Sequence, residues 1–189
     1  MRVPTQWSDA RKPACGCQDG LVSTRTLVIL RHAKAANPEG AADRDRPLTN
    51  RGHADAAAAG AWLDSGGLRP DLVLCSPARR TKQTWHGVAL GLSSAPRVRY
   101  DEALYGGSVR NLLAVVQSTD EDASTVLLIG HNPGLSQLSH LLDPPAGESA
   151  DDDGDGLKTA GIAVHTWDGG WVDCGLGAAP RTNAHTARG

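Results

Sequence analysis

Three short stretches of the chain are apolar almost without interruption: Thr26-Leu27-Val28-Ile29-Leu30, Asp71-Leu72-Val73-Leu74-Cys75 and Thr125-Val126-Leu127-Leu128-Ile129. Runs this short, without alternation, fit strands buried on both faces. Between them the apolar spacing widens to a helical period. Thr49 can cap a helix in which Ala54, Ala57, Ala58, Ala61 and Trp62 share one face, ended by Gly66-Gly67. A second helix is expected from about Ala78 to Leu90, closed by Gly91. Ser108 caps a third, with Val109, Leu112, Leu113 and Val116 inward. Pro133 suits the first turn of a fourth, with Leu135, Leu138, Leu141 and Leu142 facing the core. Strands alternating with helices predict an α/β fold, a single-domain three-layer α/β/α sandwich around a mostly parallel central sheet.

The flanking segments read differently. Residues 1–25 show neither period and are expected to form a flexible N-terminal extension, leaving a domain over residues 26–174 and a disordered tail over 175–189. Asp143 to Gly156 is rich in Asp, Gly and Pro and predicts an exposed loop; its acidic run lacks the full ligand spacing of a calcium loop. Lys158 to Val164 and Gly170 to Asp173 predict a closing pair of strands, with Asp168-Gly169 favouring a hairpin turn. No internal repeat is visible.

Composition narrows the function classes. A chain of 189 residues suits one domain with a real core. A formal charge of −2 gives no case for a nucleic-acid partner, and no apolar run is long enough for a membrane span. The four cysteines are Cys15, Cys17, Cys75 and Cys174; Cys15-Gly-Cys17 is too tight for an ordinary disulfide and is not a CxxC pair. The set suits reduced thiols of a cytoplasmic protein, with Cys75 buried. No closely spaced ligand pair suggests a metal site, and no cofactor is implied. The sequence fixes no oligomeric state.

In an open α/β sheet, ligands bind beyond the carboxyl ends of the strands. The first apolar run is followed by Arg31-His32-Ala33-Lys34, the second by Ser76-Pro77-Ala78-Arg79-Arg80, and the third by Gly130-His131-Asn132-Pro133-Gly134. Two histidines and several arginines thus converge on one edge of the sheet. The helix following His131 adds its N-terminal amides there, which suits an anion. A phosphate offers about −1.5 to −2 charge and three acceptor oxygens, and arginine's planar fork matches two of them.

Leu30-Arg31-His32-Ala33 resembles the RHG signature of the histidine phosphatase (phosphoglycerate mutase-like) superfamily. Leu48-Thr49-Asn50-Arg51-Gly52 resembles its LTxxG segment, and the stretch from Ser76 to Thr84 resembles its SPxxRxxQT segment. Ile129-Gly130-His131-Asn132-Pro133 resembles its second-histidine motif. The short length and the GHNPG block look most like the SixA branch of phosphohistidine phosphatases. The resemblance implies that His32 is a nucleophile and that Arg31, Arg80 and His131 complete a phosphate pocket. Arg80 rather than Arg79 falls on the family arginine. Ala33 departs from the usual Gly, with only a small local change expected. Glu102, before Tyr105-Gly106-Gly107, resembles the segment holding the acid of the mutase branch, and Asp101 is the adjacent alternative. Lys34 can touch substrate from its place beside the site; Asn132 can cap the following helix or bind phosphate. The implied activity is a metal-independent phosphatase acting through a covalent phosphohistidine on a phosphorylated protein or a small phosphorylated metabolite. The alternatives are a phosphoglycerate mutase-like phosphotransferase and a phosphate-recognising module without catalysis.

Overall fold

The computed structural model describes residues 23–145 and 156–189. Cys15, Cys17, nearly all of the expected N-terminal extension and most of the acidic loop lie outside the described residues. The elements run β1 (Thr24–Arg31), α1 (Asn50–Ser65), β2 (Leu72–Cys75), α2 (Arg79–Gly91), β3 (Arg97–Tyr100), α3 (Val109–Gln117), β4 (Thr125–Gly130), α4 (Gly134–Leu142), β5 (Gly161–Asp168) and β6 (Arg181–Thr186). They form a six-stranded sheet in the order β3-β2-β4-β1-β5-β6. The first four of these are mutually parallel, whereas β5 runs antiparallel to β1, and β6 to β5.

Successive strand residues point to opposite faces, so each strand feeds two cores. Leu27 and Ile29 of β1 pack with Leu112, Val116, Leu135 and Leu138 of α3 and α4. Val28 and Leu30 pack on the other side with Ala56, Ala59, Leu63 and Val88 of α1 and α2. This is the three-layer α/β/α sandwich. Burial on both faces explains why these strands carry no polar alternation. The caps form as the sequence indicates: the side chain of Thr49 accepts from the Gly52 amide, and that of Ser108 from the Asn111 amide. Each such cap contributes about 1 kcal/mol.

α1 buries a different face from the one its alanines suggest. Its buried residues are Gly52, Asp55, Ala56, Ala59, Gly60 and Leu63. The cause is the close crossing of α2: a Cβ on Gly60 would lie 2.1 Å from the carbonyl oxygen of Val88. The contact therefore selects the smallest residues, not the most apolar ones. Trp62 turns outward from that crossing and stacks on His185, with ring centroids 4.7 Å apart.

The C-terminal segment corrects two expectations. Residues 175–189 are not a disordered tail, since β6 pairs with β5 from Gly161↔Thr186 to His165↔Arg181. Its sequence, RTNAHT, is polar because it is an exposed edge strand held through its backbone, so no apolar period announces it. The expected hairpin at Asp168-Gly169 does not form either. Trp171–Asp173 is a 3-10 turn instead. There Trp171 is fully buried against Trp167 and its indole N–H donates to the Ala123 carbonyl at 2.7 Å. Among the described residues no helix is long and apolar enough to cross a membrane.

Candidate active site

The strand register brings the motifs together. Arg31 sits opposite Gly130, and Cys75 opposite Ile129, so β1, β4 and β2 end at one level. His32, His131 and Ser76 emerge side by side from those ends. The His32 amide continues the ladder, donating to the Gly130 carbonyl at 3.1 Å. The rings of His32 and His131 are 5.2 Å apart, centroid to centroid. Both line a cavity of about 420 Å³, together with Arg31, Lys34, Arg80 and Asn132.

His32 is fixed from three sides. Its Nδ1 lies 2.8 Å from the Ala33 carbonyl oxygen, so Nδ1 carries the proton and donates while Nε2 keeps its lone pair. Its own carbonyl accepts from the Ala160 amide at 3.3 Å. The next amide, Ala33 N–H, donates to Thr84 Oγ1 of α2 at 3.1 Å. Ala33, in place of a glycine, is fully buried in the core beneath α1 and α2. The Lys34 carbonyl accepts from the Thr49 amide at 2.9 Å. A Cβ on Gly52 would stand 2.2 Å from that oxygen, which is the physical reason for glycine in Leu48-Thr49-Asn50-Arg51-Gly52. Gln83 Oε1 accepts from the Leu48 amide at 2.7 Å, so α2 holds both ends of the loop leaving β1.

Both rings are neutral. Burial pushes the His32 pKa down to about 4; the Ala33 carbonyl opposes the shift, and Arg80, Arg31 and Arg46 add to it. Burial, His32 and Arg80 take His131 down to about 3. His131 is therefore uncharged and available for hydrogen bonding. Its Nε2 lies 2.8 Å from the Ser76 hydroxyl, and its Nδ1 is buried with no partner among the described residues.

The arginines are oriented by acceptors. Arg31 donates to the Leu157 carbonyl at 2.8 Å, and Asn132 Nδ2 donates to the same oxygen at 2.8 Å. Asn132 also accepts from Ser136 through Oδ1; it does not cap α4, whose N-cap is Pro133. Arg80, only 6% exposed, donates to both the backbone carbonyl and the carboxylate of Asp43. Lys34 lines the cavity with its side chain exposed, and Arg79 is exposed at the start of α2.

The structure does not bring Glu102 into the cavity. Its carboxylate is 70% exposed and pairs with Arg44. Asp101 is likewise outside the lining, its side chain accepting from the Ala103 amide. The carboxylate that does line the cavity is Asp43, accompanied by Arg46, and neither was picked out from sequence. Asp43 accepts from Arg80 and from the Tyr105 hydroxyl on Oδ2, each at 2.9 Å, and from Arg46 on Oδ1 at 3.1 Å. Burial would raise its pKa, but the hydrogen bonds from Arg46, Tyr105 and Arg80 prevail and hold it at about 2. The available signal was Asp43-Arg44-Asp45-Arg46 itself, a dense charge cluster between His32 and Leu48-Thr49.

These features define a class: a buried neutral histidine among arginines at the carboxyl end of a parallel sheet. The chain belongs to the histidine phosphatase superfamily (branch 1), whose family model matches residues 27–108. Within it, the chain is similar to the structure of a candidate phosphohistidine phosphatase SixA from Nakamurella multipartitia, at 36% identity and TM-score 0.77, covering 87% of this chain and 97% of that one. The protein histidine phosphatase SixA, solved with tungstate, is 27% identical at TM-score 0.71 over 85% of this chain and 96% of that one. A protein of Mycobacterium tuberculosis with no assigned function is 36% identical over 84% of this chain and its own full length. A 2,3-bisphosphoglycerate-dependent phosphoglycerate mutase of Mesorhizobium japonicum is 31% identical over 69% of this chain and 64% of the mutase.

Proposed function

We propose that the chain is a metal-independent phosphatase that forms a covalent phosphohistidine on His32, with phosphohistidine on a protein as its substrate. The observation that carries this is the state of His32: Nδ1 donates to the Ala33 carbonyl and the ring is neutral, which leaves Nε2 free inside a cavity lined by Arg31, Arg46 and Arg80. Nε2 attacks phosphorus, the P–N or P–O bond of the substrate breaks, and its electron pair leaves with the departing group. The guanidinium groups stabilise charge on the non-transferring oxygens. Water then attacks the phosphohistidine and frees inorganic phosphate, completing a two-step covalent mechanism.

Two features favour phosphohistidine as the substrate. The carboxylate in the cavity is held ionised and the exposed Glu102 is occupied by Arg44, so neither stands ready to protonate a leaving alkoxide. An imidazole leaving group has a pKa near about 6.5 and can take its proton from solvent. Among the described residues the stretch between Glu102 and β4 holds one short helix, α3, packed on the core with α4, which supports access by a protein surface. The likeness to SixA structures supports the same choice. Free, buried Cys75 and Cys174 support a reducing, cytoplasmic setting.

The test is hydrolysis of p-nitrophenyl phosphate and of a phosphohistidine carrier protein in excess chelator. Turnover is expected for both, and His32→Ala should lower it by several orders of magnitude. Activity unchanged by His32→Ala would remove His32 from the mechanism. Interconversion of phosphoglycerates without net hydrolysis would favour a mutase.

A further inference from the structure

We propose that Asp43 holds the water that releases phosphate from His32 and accepts its proton. The proposal rests on the covalent phosphohistidine mechanism above. It concerns the second step, for which no residue has yet been assigned.

Geometry carries it. Asp43 is the carboxylate among the described residues that line the cavity of His32. It is gripped by three donors from separate parts of the chain: Arg80 of α2, Tyr105 beyond β3, and Arg46 of its own loop. The Arg80 guanidinium that grips it is itself buried, so the carboxylate is anchored to the sheet edge and not merely to a loop. A carboxylate oxygen has two lone-pair positions. Oδ2 has both filled, by Arg80 and Tyr105, whereas Oδ1 accepts only from Arg46. One acceptor position on Oδ1 therefore stays open, on a side chain that is 55% exposed.

Chemistry says what that position serves. Asp43 is held as the anion, so it can accept a hydrogen bond from water; its donors make it a weak base, and it takes the proton only as the forming P–O bond turns the water strongly acidic. Throughout the reaction Nδ1 of His32 keeps its proton on the Ala33 carbonyl. In the second step the water oxygen bonds to phosphorus and the P–Nε2 bond breaks, its electron pair returning to Nε2. The ring leaves as neutral imidazole and needs no acid. One water proton passes to Oδ1 of Asp43 and on to solvent, and hydrogen phosphate departs. The water is thus the partner in this step that needs a proton acceptor.

A carboxylate that merely orients Arg80 predicts a different kinetic signature, because Arg80 serves both chemical steps. The experiment is rapid mixing of the full chain with p-nitrophenyl phosphate, with alkaline quenching to preserve phosphohistidine. Asp43→Asn should release about one nitrophenolate per chain at a rate within a few-fold of the parent, then turn over more slowly by on the order of 10²-fold. Label from radioactive substrate should accumulate on His32. Asp43→Glu, which restores a carboxylate, should recover part of the slow phase. If the first and second phases slow together in both variants, Asp43 only orients the arginines and the proposal is wrong. Unchanged turnover in Asp43→Asn would also overturn it. If the parent itself acquires no label and shows no turnover, the covalent mechanism fails and the proposal with it. Should Asp43→Asn not fold, Asp43→Glu alone decides, by whether only its second phase is slowed.

Discussion

His32 owes its protonation state to burial and one carbonyl. Because its pKa lies at about 4 and that of His131 at about 3, neither ring should titrate near the ordinary imidazole value. In NMR titrations both are expected to stay neutral down to about pH 5, a signature that a ring of pKa about 6.5 would not give. The sign for stability follows. Unfolded imidazoles take up protons below about 6.5 while the folded rings refuse them, so stability falls as pH drops through that window, reaching its full loss near about 4 for His32 and about 3 for His131. Thermal melts from neutral pH downward should show the decline; a flat profile would contradict the buried neutral pair. At this scale the gathering of Arg31, His32, Arg80 and His131 around one cavity was legible because each follows an apolar strand inside a recognisable motif. Asp43 was not, because its role comes from donors on α2 and beyond β3 that only the folded chain brings to it.

α2 is the element that holds the loop carrying His32. Thr84 Oγ1 accepts from the buried Ala33 amide and donates to the Arg80 carbonyl. Thr84→Val keeps the shape but strands that amide, so stability should fall by about 1–3 kcal/mol in denaturant titrations. Turnover should fall as well, since His32 is the neighbouring residue; a stable variant of full activity would show that α2 does not hold the loop through Thr84. The existence of α1 to α4 was readable from helical spacing and caps. The buried face of α1 was not, because alanines surround the helix and the choice is made by Gly60 meeting Val88. β3 and β6 carry no apolar period for a related reason: both are edge strands, short or polar, whose identity lies in backbone pairing.

For the whole molecule, the alternation of strand and helix revealed the parallel half of the sheet; of the antiparallel half, the strand expected from Lys158 to Val164 overlaps β5, whereas β6 depended on long-range pairing that no local pattern records. The chain just past β6 reaches back to the site through one residue: Ala160 donates its amide to the His32 carbonyl and accepts at its own carbonyl from the Ala187 amide. Ala160 adopts φ +55 with its side chain fully buried, so this junction is held by its surroundings. Truncation after Pro180 should lower the melting temperature and reduce turnover together; loss of stability with undiminished turnover would uncouple them. The cavity has a further consequence. Arg31, Lys34, Arg46 and Arg80 gather positive charge at one mouth of a chain whose net charge is −2. The rest of the chain is net negative by sequence, so the long-range field draws a dianion toward the mouth and away from the rest. Added salt shortens the reach of that field to roughly 10 Å at about 0.1 M, slowing capture while leaving the bond-breaking steps as they were.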